Sequence, residues 1–365
     1  MDDHYTADSL ESYLKTIENI SFNVTQGLHS PILYRGEARA FSIKERSCPS
    51  FGAKAFRRKN ASETLESGDY FSLHKKLDSY RYEVWSDLDN TARDNFLAYA
   101  HHHGIDTNLI EVTKDPLIAL FYAVADQSNT NGCVFIYDLP SIDITSALNK
   151  TDKVNIFDMI LTDDPQEIDE FIQLTLGLDI PNPGFFNKHL YTLCQNYYCV
   201  LNNSEQILSH INQNEDSLIH MVNDIAQRDS SNYLQNLFNE KIRDHHRNAL
   251  HFFTVLRGFI RMKKEKKSHI AFEMNGNIPT IYNPKTNFKK GLNQDNLYIY
   301  QKYITTSDHR IIGLEKIKPT RVIEIKNKNK ILSLLNKLNI NHKNVYGDHR
   351  MIAKYINRFY QYSVI

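Results

Sequence analysis

Cysteine is scarce in this chain. The four present, Cys48, Cys133, Cys194 and Cys199, form no CxxC pair. That spacing argues against a disulfide framework and against a cysteine-ligated zinc site. Long apolar runs are missing as well: the longest, around Pro116–Val124, falls far short of a bilayer span. The opening MDDHYTADSLESYL lacks the basic-then-apolar order of a secretory signal, so a cytoplasmic location is expected. Neither a GxxxxGK[ST] loop nor a GxSxG elbow occurs, which leaves P-loop and serine-hydrolase chemistry without a motif. Aromatic residues are plentiful, with 21 Tyr and 19 Phe among 365 residues. Disordered chains lack such content, and this length buries at least one full core.

The formal net charge is zero, but it is unevenly spread. Residues 1–256 carry 21 Lys and Arg against 36 Asp and Glu, whereas residues 257–365 carry 22 against 7. The split predicts either two lobes that attract each other or a basic face suited to phosphate. A third reading, solvated surface on both halves, predicts no partner.

Periodicity divides the chain into three. In residues 1–150 the spacing predicts a helix over 8–20, a strand over 31–34 delivering Arg35 at its end, and mostly helix over 60–104. A strand over 109–113, a helix over 117–126 opened by Asp115-Pro116, and a strand over 133–137 follow. Residues 151–262 carry helical stripes over 205–226 and 231–261 and read as a helical insertion. Residues 263–365 begin near a basic run, 261–267, and predict strands at 269–274, 280–282, 297–304 and 321–325. Helices near 328–338 and 349–359 close the chain. The expected fold class is α+β, a mixed sheet flanked by helices and interrupted by the helical insertion.

Three segments carry more chemistry than a scaffold needs. Tyr34-Arg35-Gly36-Glu37 sets a guanidinium beside a glycine, a pairing suited to an anion and equally to a structural ion pair. His101-His102-His103-Gly104 leads to Thr107 and to Glu111-Val112-Thr113. Gln294 and Tyr298 lie in the third segment. Adjacent histidines diverge, whereas metal ligands must converge, so no metal is expected. His102 is expected to orient Thr107 or Arg35 by a hydrogen bond.

These segments resemble the FRG domain family, named for its Phe-Arg-Gly motif. Tyr34-Arg35-Gly36 matches the first element, with Glu37 in place of the usual glutamine. His102, Gly104, Thr107, Leu109, Thr113 and the run Pro116–Ala123 match the central element. Gln294 and Tyr298 resemble a later one. The chain departs from the pattern at His101, Asn108, Glu111 and Val112, where the family has Gln, Arg, Asp and Trp. The resemblance implies that residues 1–150 and 263–365 together build one FRG-type domain around the insertion.

The family's motif order is remotely similar to that of ADP-ribosyltransferase-like folds. This similarity implies NAD as a co-substrate, a nucleic-acid or protein acceptor, and a role as a bacterial toxin or antiviral defence effector. Tyr34, Arg35, Gly36, His102 and Thr107 would then bind NAD, while Gln294, Thr113 and Glu111 would serve the reaction. Cleaving the nicotinamide bond develops oxocarbenium character and calls for a carboxylate, for which Glu37 and Glu111 are the candidates. The alternative is a non-catalytic sensor or a module that binds nucleotide or nucleic acid in the same basic pocket. Tyrosines 282, 298, 300 and 303 would then be available to stack on bases.

Overall fold

The computed structural model describes residues 4–25, 32–39, 52–57, 65, 68–126, 130–138, 141–151, 155–162, 164–176, 183–202, 215–228, 244–265, 270–272, 279–285 and 296–347, with 352, 353 and 356. In chain order the first elements are β1 (His4–Ala7), α1 (Leu10–Thr25), β2 (Leu33–Glu37), α2 (Leu73–Val84), α3 (Asn90–Asp94) and α4 (Phe96–His102). Next come β3 (Leu109–Thr113), α5 (Pro116–Val124), β4 (Gly132–Tyr137), β5 (Ile142–Asp143) and α6 (Thr145–Asn149). Four longer helices follow: α7 (Pro165–Leu176), α8 (Pro183–Asn202), α9 (Glu215–Arg228) and α10 (Asp244–Glu265). The last part holds β6 (Ile270–Phe272), β7 (Thr280–Tyr282), β8 (Asn296–Tyr300), β9 (Tyr303–Thr305), β10 (Ile311–Glu315), β11 (Arg321–Ile325), α11 (Lys328–Lys337) and α12 (His342–Tyr346).

Eight strands form a mixed sheet in the order β1-β11-β4-β2-β3-β8-β7-β5, and β6-β10-β9 form a second, smaller sheet. Side chains on a strand alternate between faces, and the cores follow that alternation. On β4, Cys133, Phe135 and Tyr137 join a core that includes Phe56 and Leu77, while Val134 and Ile136 pack with α5 and α11. On β8, Leu297 and Ile299 join the first of these cores, whereas Tyr298 and Tyr300 pack against the long helices. One face of the sheet is therefore shared: α1, α5 and α11 cover one half and the long helices α7–α10 the other. These four longer helices centre on α10, in which every residue from Leu250 to Ile260 is buried against the surrounding helices. The fold is α+β, as the periodicity predicts.

Several boundaries differ from the sequence reading. β2 continues through Arg35 and Gly36 to Glu37, so Arg35 lies inside a strand and not at its end. The strand expected over 297–304 breaks at Gln301 and Lys302, whose polar groups are used in other directions. β1, β5 and β10 are additional strands. Parts of the helices expected over 205–226 and 231–261 lie outside the described residues, as does most of 349–359.

Candidate functional site

The His-His-Gly segment closes α4. Gly104 has φ of 100°, a conformation that favours glycine, and its N–H donates to His101 O while Ile105 N–H donates to Ala100 O. This reversal turns the chain into β3. At the turn, His101 Nδ1 lies 2.7 Å from Thr107 Oγ1, which also accepts from Leu109 N. His101, the neighbour of His102, makes this contact: on a helix consecutive side chains point about 100° apart, and His101 faces the turn.

β3 hands over to α5 through a chain of side-chain caps. Thr113 Oγ1 accepts from Asp115 N at 3.0 Å, and Asp115 Oδ1 accepts from Leu117 N at 2.7 Å. Pro116 occupies the first helical turn, where its missing N–H is harmless. Tyr13 of α1 donates to Pro116 O and fixes α1 on the same helix end. Gly36 meets α5 from below: a Cβ there would overlap the carbonyl of Ala119 and crowd Ala123 N. The close approach that this glycine permits is thus filled by helix backbone.

The sheet opens beside these residues. β2 pairs with β4 over five positions and β3 pairs with β8 over five, yet β2 and β3 meet only at Tyr34↔Thr113. The Arg35 side chain bridges the resulting gap. Its Nη1 donates to Glu111 O at 3.2 Å, and its Nε and Nη2 donate to Glu37 Oε1 at 3.1 and 2.7 Å. Arg57 Nη2 stands 3.9 Å from the same carboxylate oxygen. Burial works against the Arg35 charge, but the Glu37 carboxylate, with Tyr137 and Glu111 behind it, outweighs this and holds the guanidinium pKa above its ordinary value. The Arg35 and Glu37 side chains remain 19% and 13% exposed, so the ion pair still reaches solvent.

The structure brings together Tyr34, Arg35, Gly36, Glu111 and Thr113 on adjacent strands, with Thr107 and His102 at the α4–β3 turn. Alternation then divides them. Tyr34, Gly36, Glu111 and Thr113 belong to the face covered by α5 and the long helices, and Arg35 and Glu37 to the opposite one. Tyr34, Thr107 and Thr113 are buried, whereas His102 and Glu111 are half-buried. Gln294 lies outside the described residues.

Around Glu111 the aromatic residues are closely placed. Tyr298 is its register partner on β8 and makes an edge contact with His101 at 5.3 Å. Burial, then the Glu111 charge, pushes the Tyr298 hydroxyl pKa far up. The tyrosines expected to offer stacking faces, 282, 298, 300 and 303, are instead core residues with exposures of 3% or less.

A polar cluster that the motifs do not signal lies behind β3. Gln301 Oε1 accepts from Ala53 N, its Nε2 donates to Glu315 O, and Asn108 Nδ2 donates to Gln301 O. Lys302 and Glu315 form an ion pair at 2.6 Å with side chains 2% and 0% exposed. Burial lowers the lysine pKa and raises the glutamate pKa, each against the pull of the other. The only sequence signal was the polar Gln301-Lys302 pair interrupting an apolar strand pattern.

Among the described residues, no group of three or more His, Cys, Asp or Glu is placed to hold a metal, and no helix is long and apolar enough to cross a membrane. No curated protein and no solved structure matches the chain significantly. One family model does match: residues 30–132 align with the FRG domain, the span from just before β2 to the first residue of β4. The Tyr-Arg-Gly strand, the His-Gly turn and the Thr-capped helix described above all fall within that span, and the chain carries an FRG domain.

Proposed function

We propose that the FRG domain binds an anionic nucleotide at the opening between β2 and β3, and that this ligand is NAD, used for ADP-ribosyl transfer. The observation that carries the reading is Arg35: a guanidinium standing in a gap of the central sheet, partly open to solvent and attended by carboxylates. An arginine fork matches a pyrophosphate bidentately. Glu111, whose side chain lies on the opposite face of the sheet, would reach an electron-poor sugar through the same gap and supply the negative charge there. In the reaction the nicotinamide C–N bond breaks and nicotinamide leaves with the bonding pair. The acceptor's nucleophilic atom bonds the sugar carbon, and its proton passes to a carboxylate, for which Glu111 is the candidate. Tyr34, Gly36, His102 and Thr107 would shape the binding side, and Thr113 and Gln294 the reacting side. The acceptor would be a protein or nucleic acid, in the setting of a toxin or defence effector.

Calorimetric titration with NAD, beside a mass-spectrometric search for ADP-ribose on macromolecules of expressing cells, tests this reading. Arg35→Ala is expected to lower NAD affinity by about tenfold or more, the worth of a charged hydrogen bond. Glu111→Gln should reduce turnover more than binding, because a group acting on the transition state changes rate. No heat with NAD and no modified acceptor would reject the proposal.

A second reading is favoured by a specific observation. Arg35 already makes three hydrogen bonds within the fold, and Thr113 Oγ1 caps the β3–α5 turn. If these groups stay committed to the scaffold, the domain is a binding module without turnover. NAD binding with no nicotinamide release in the presence of cell extract would select it.

A further inference from the structure

A separate cavity of about 300 Å³ lies between α2, α3, α4 and α6, with Tyr282 of β7 in its wall. None of Arg35, Glu37, Glu111 or Thr113 lines it. Two of its lining residues are arginines grouped on one indole: Arg81 stacks on Trp85 at 5.2 Å and on Phe96 at 4.9 Å, and Arg93 on Trp85 at 5.5 Å. Such stacking orients a planar fork while leaving its edge free to donate.

Charge at this cavity is unbalanced. Arg93 Nη2 donates to Trp85 O, but the Nε of each arginine is buried with no hydrogen-bond partner. Among the described residues no carboxylate pairs with either guanidinium. Asp94 also lines the cavity, and it is exposed and forms no salt bridge. Two like charges on one indole repel each other, and an anion between them relieves that repulsion.

We propose that this cavity binds an organic phosphate of mononucleotide size, its phosphate held by Arg81 and Arg93. The apolar wall of Leu77, Leu97 and Leu148 takes the flat face of the base, and the Asp94 carboxylate accepts from a sugar hydroxyl. The volume supports this size, being at the lower end of the roughly 300–1,000 Å³ of small-molecule sites and too small for a dinucleotide. The site is therefore distinct from the proposed NAD site at the sheet opening, and the two stand or fall separately.

Trp85 is the only tryptophan of the chain, so its fluorescence reports this cavity directly. The full chain is titrated with adenosine 5′-monophosphate, ribose 5-phosphate and inorganic phosphate. A saturable change in Trp85 emission is expected with all three, tightest for the mononucleotide. A response to phosphate equal to that of the nucleotide would overturn the assignment to a mononucleotide. Arg93→Gln is expected to weaken binding by about tenfold or more. Arg81→Lys keeps the charge but loses the fork, and should weaken it by a similar factor with an unchanged far-ultraviolet circular dichroism spectrum. Arg35→Ala should leave the titration as it is. No response to any of the three phosphates, unchanged affinity in Arg93→Gln, or loss of the response in Arg35→Ala would each overturn the proposal.

Discussion

Gly36 shows how a motif residue can be dictated by packing. Its Cα hydrogen faces the carbonyl of Ala119, and no side chain fits there without moving α5 off the sheet. Gly36→Ala is therefore expected to destabilise the protein by about 3 kcal/mol or more, at the upper end for overpacking. Urea denaturation measures it, and a change below about 1 kcal/mol would show that α5 yields easily. Arg35, the preceding residue in the motif, faces the other side of the sheet and reaches solvent. It is the residue where loss of ligand affinity should exceed loss of stability.

Elements are joined here by polar pairs as well as by the apolar core. The Lys302–Glu315 pair ties the β8–β9 connection to β10, and Glu315 Oε2 also accepts from Lys302 N. Removing one partner strands the other in the interior. Lys302→Met is expected to cost about 3–5 kcal/mol, whereas Lys302→Met with Glu315→Leu should cost less than the two single changes summed. Additive denaturation free energies would show that the charges do not interact. The His74 and His309 rings lie 3.7 Å apart and join α2 to the turn before β10. Burial first, then the His309 charge and Lys75, outweigh the opposing pull of Asp78 and lower the His74 pKa from its ordinary value of 6.5. A histidine depressed in the folded state binds its proton more readily when unfolded. Its stability contribution is present above the unfolded pKa and is lost as pH falls through the folded one. The melting temperature should accordingly drop as pH falls below about 6.5, and His74→Gln should flatten that slope. An identical slope in the variant would remove His74 from the account.

At the scale of the molecule, the two oppositely charged parts of the chain are woven into one sheet. β11 lies between β1 and β4, and β8 lies against β3. Arg321 pairs with Asp138 and Lys328 with Asp126, so basic residues of 257–365 meet acidic ones of 1–256. The span matching the FRG domain, 30–132, contains β2 and β3 but stops at the first residue of β4 and lacks β8. It retains only the Tyr34↔Thr113 position of interstrand pairing. Residues 30–132 produced alone should therefore fail to fold cooperatively, which circular dichroism during heating will show. A sharp melting transition of that fragment would mean that its helices suffice.

Much of this architecture is legible in local sequence. The Asp-Pro start of α5, the Gly104 turn and the alternation on β3, β4 and β8 are short-range matters, set by backbone geometry and by which face meets water. The α+β class follows from periodicity alone. The FRG resemblance rests on the same local residues and agrees with the family match. What the tertiary structure decided is long-range. The opening between β2 and β3, the helix packed on Gly36, the burial of Tyr282, Tyr298 and Tyr300, and the Gln301-Lys302-Glu315 cluster all depend on which distant segments become neighbours. The arginines around Trp85 belong with them, although they lie close in sequence. A guanidinium reads as surface charge until α6 and β7 are placed beside it, and only that placement turns three ordinary residues into part of a cavity wall.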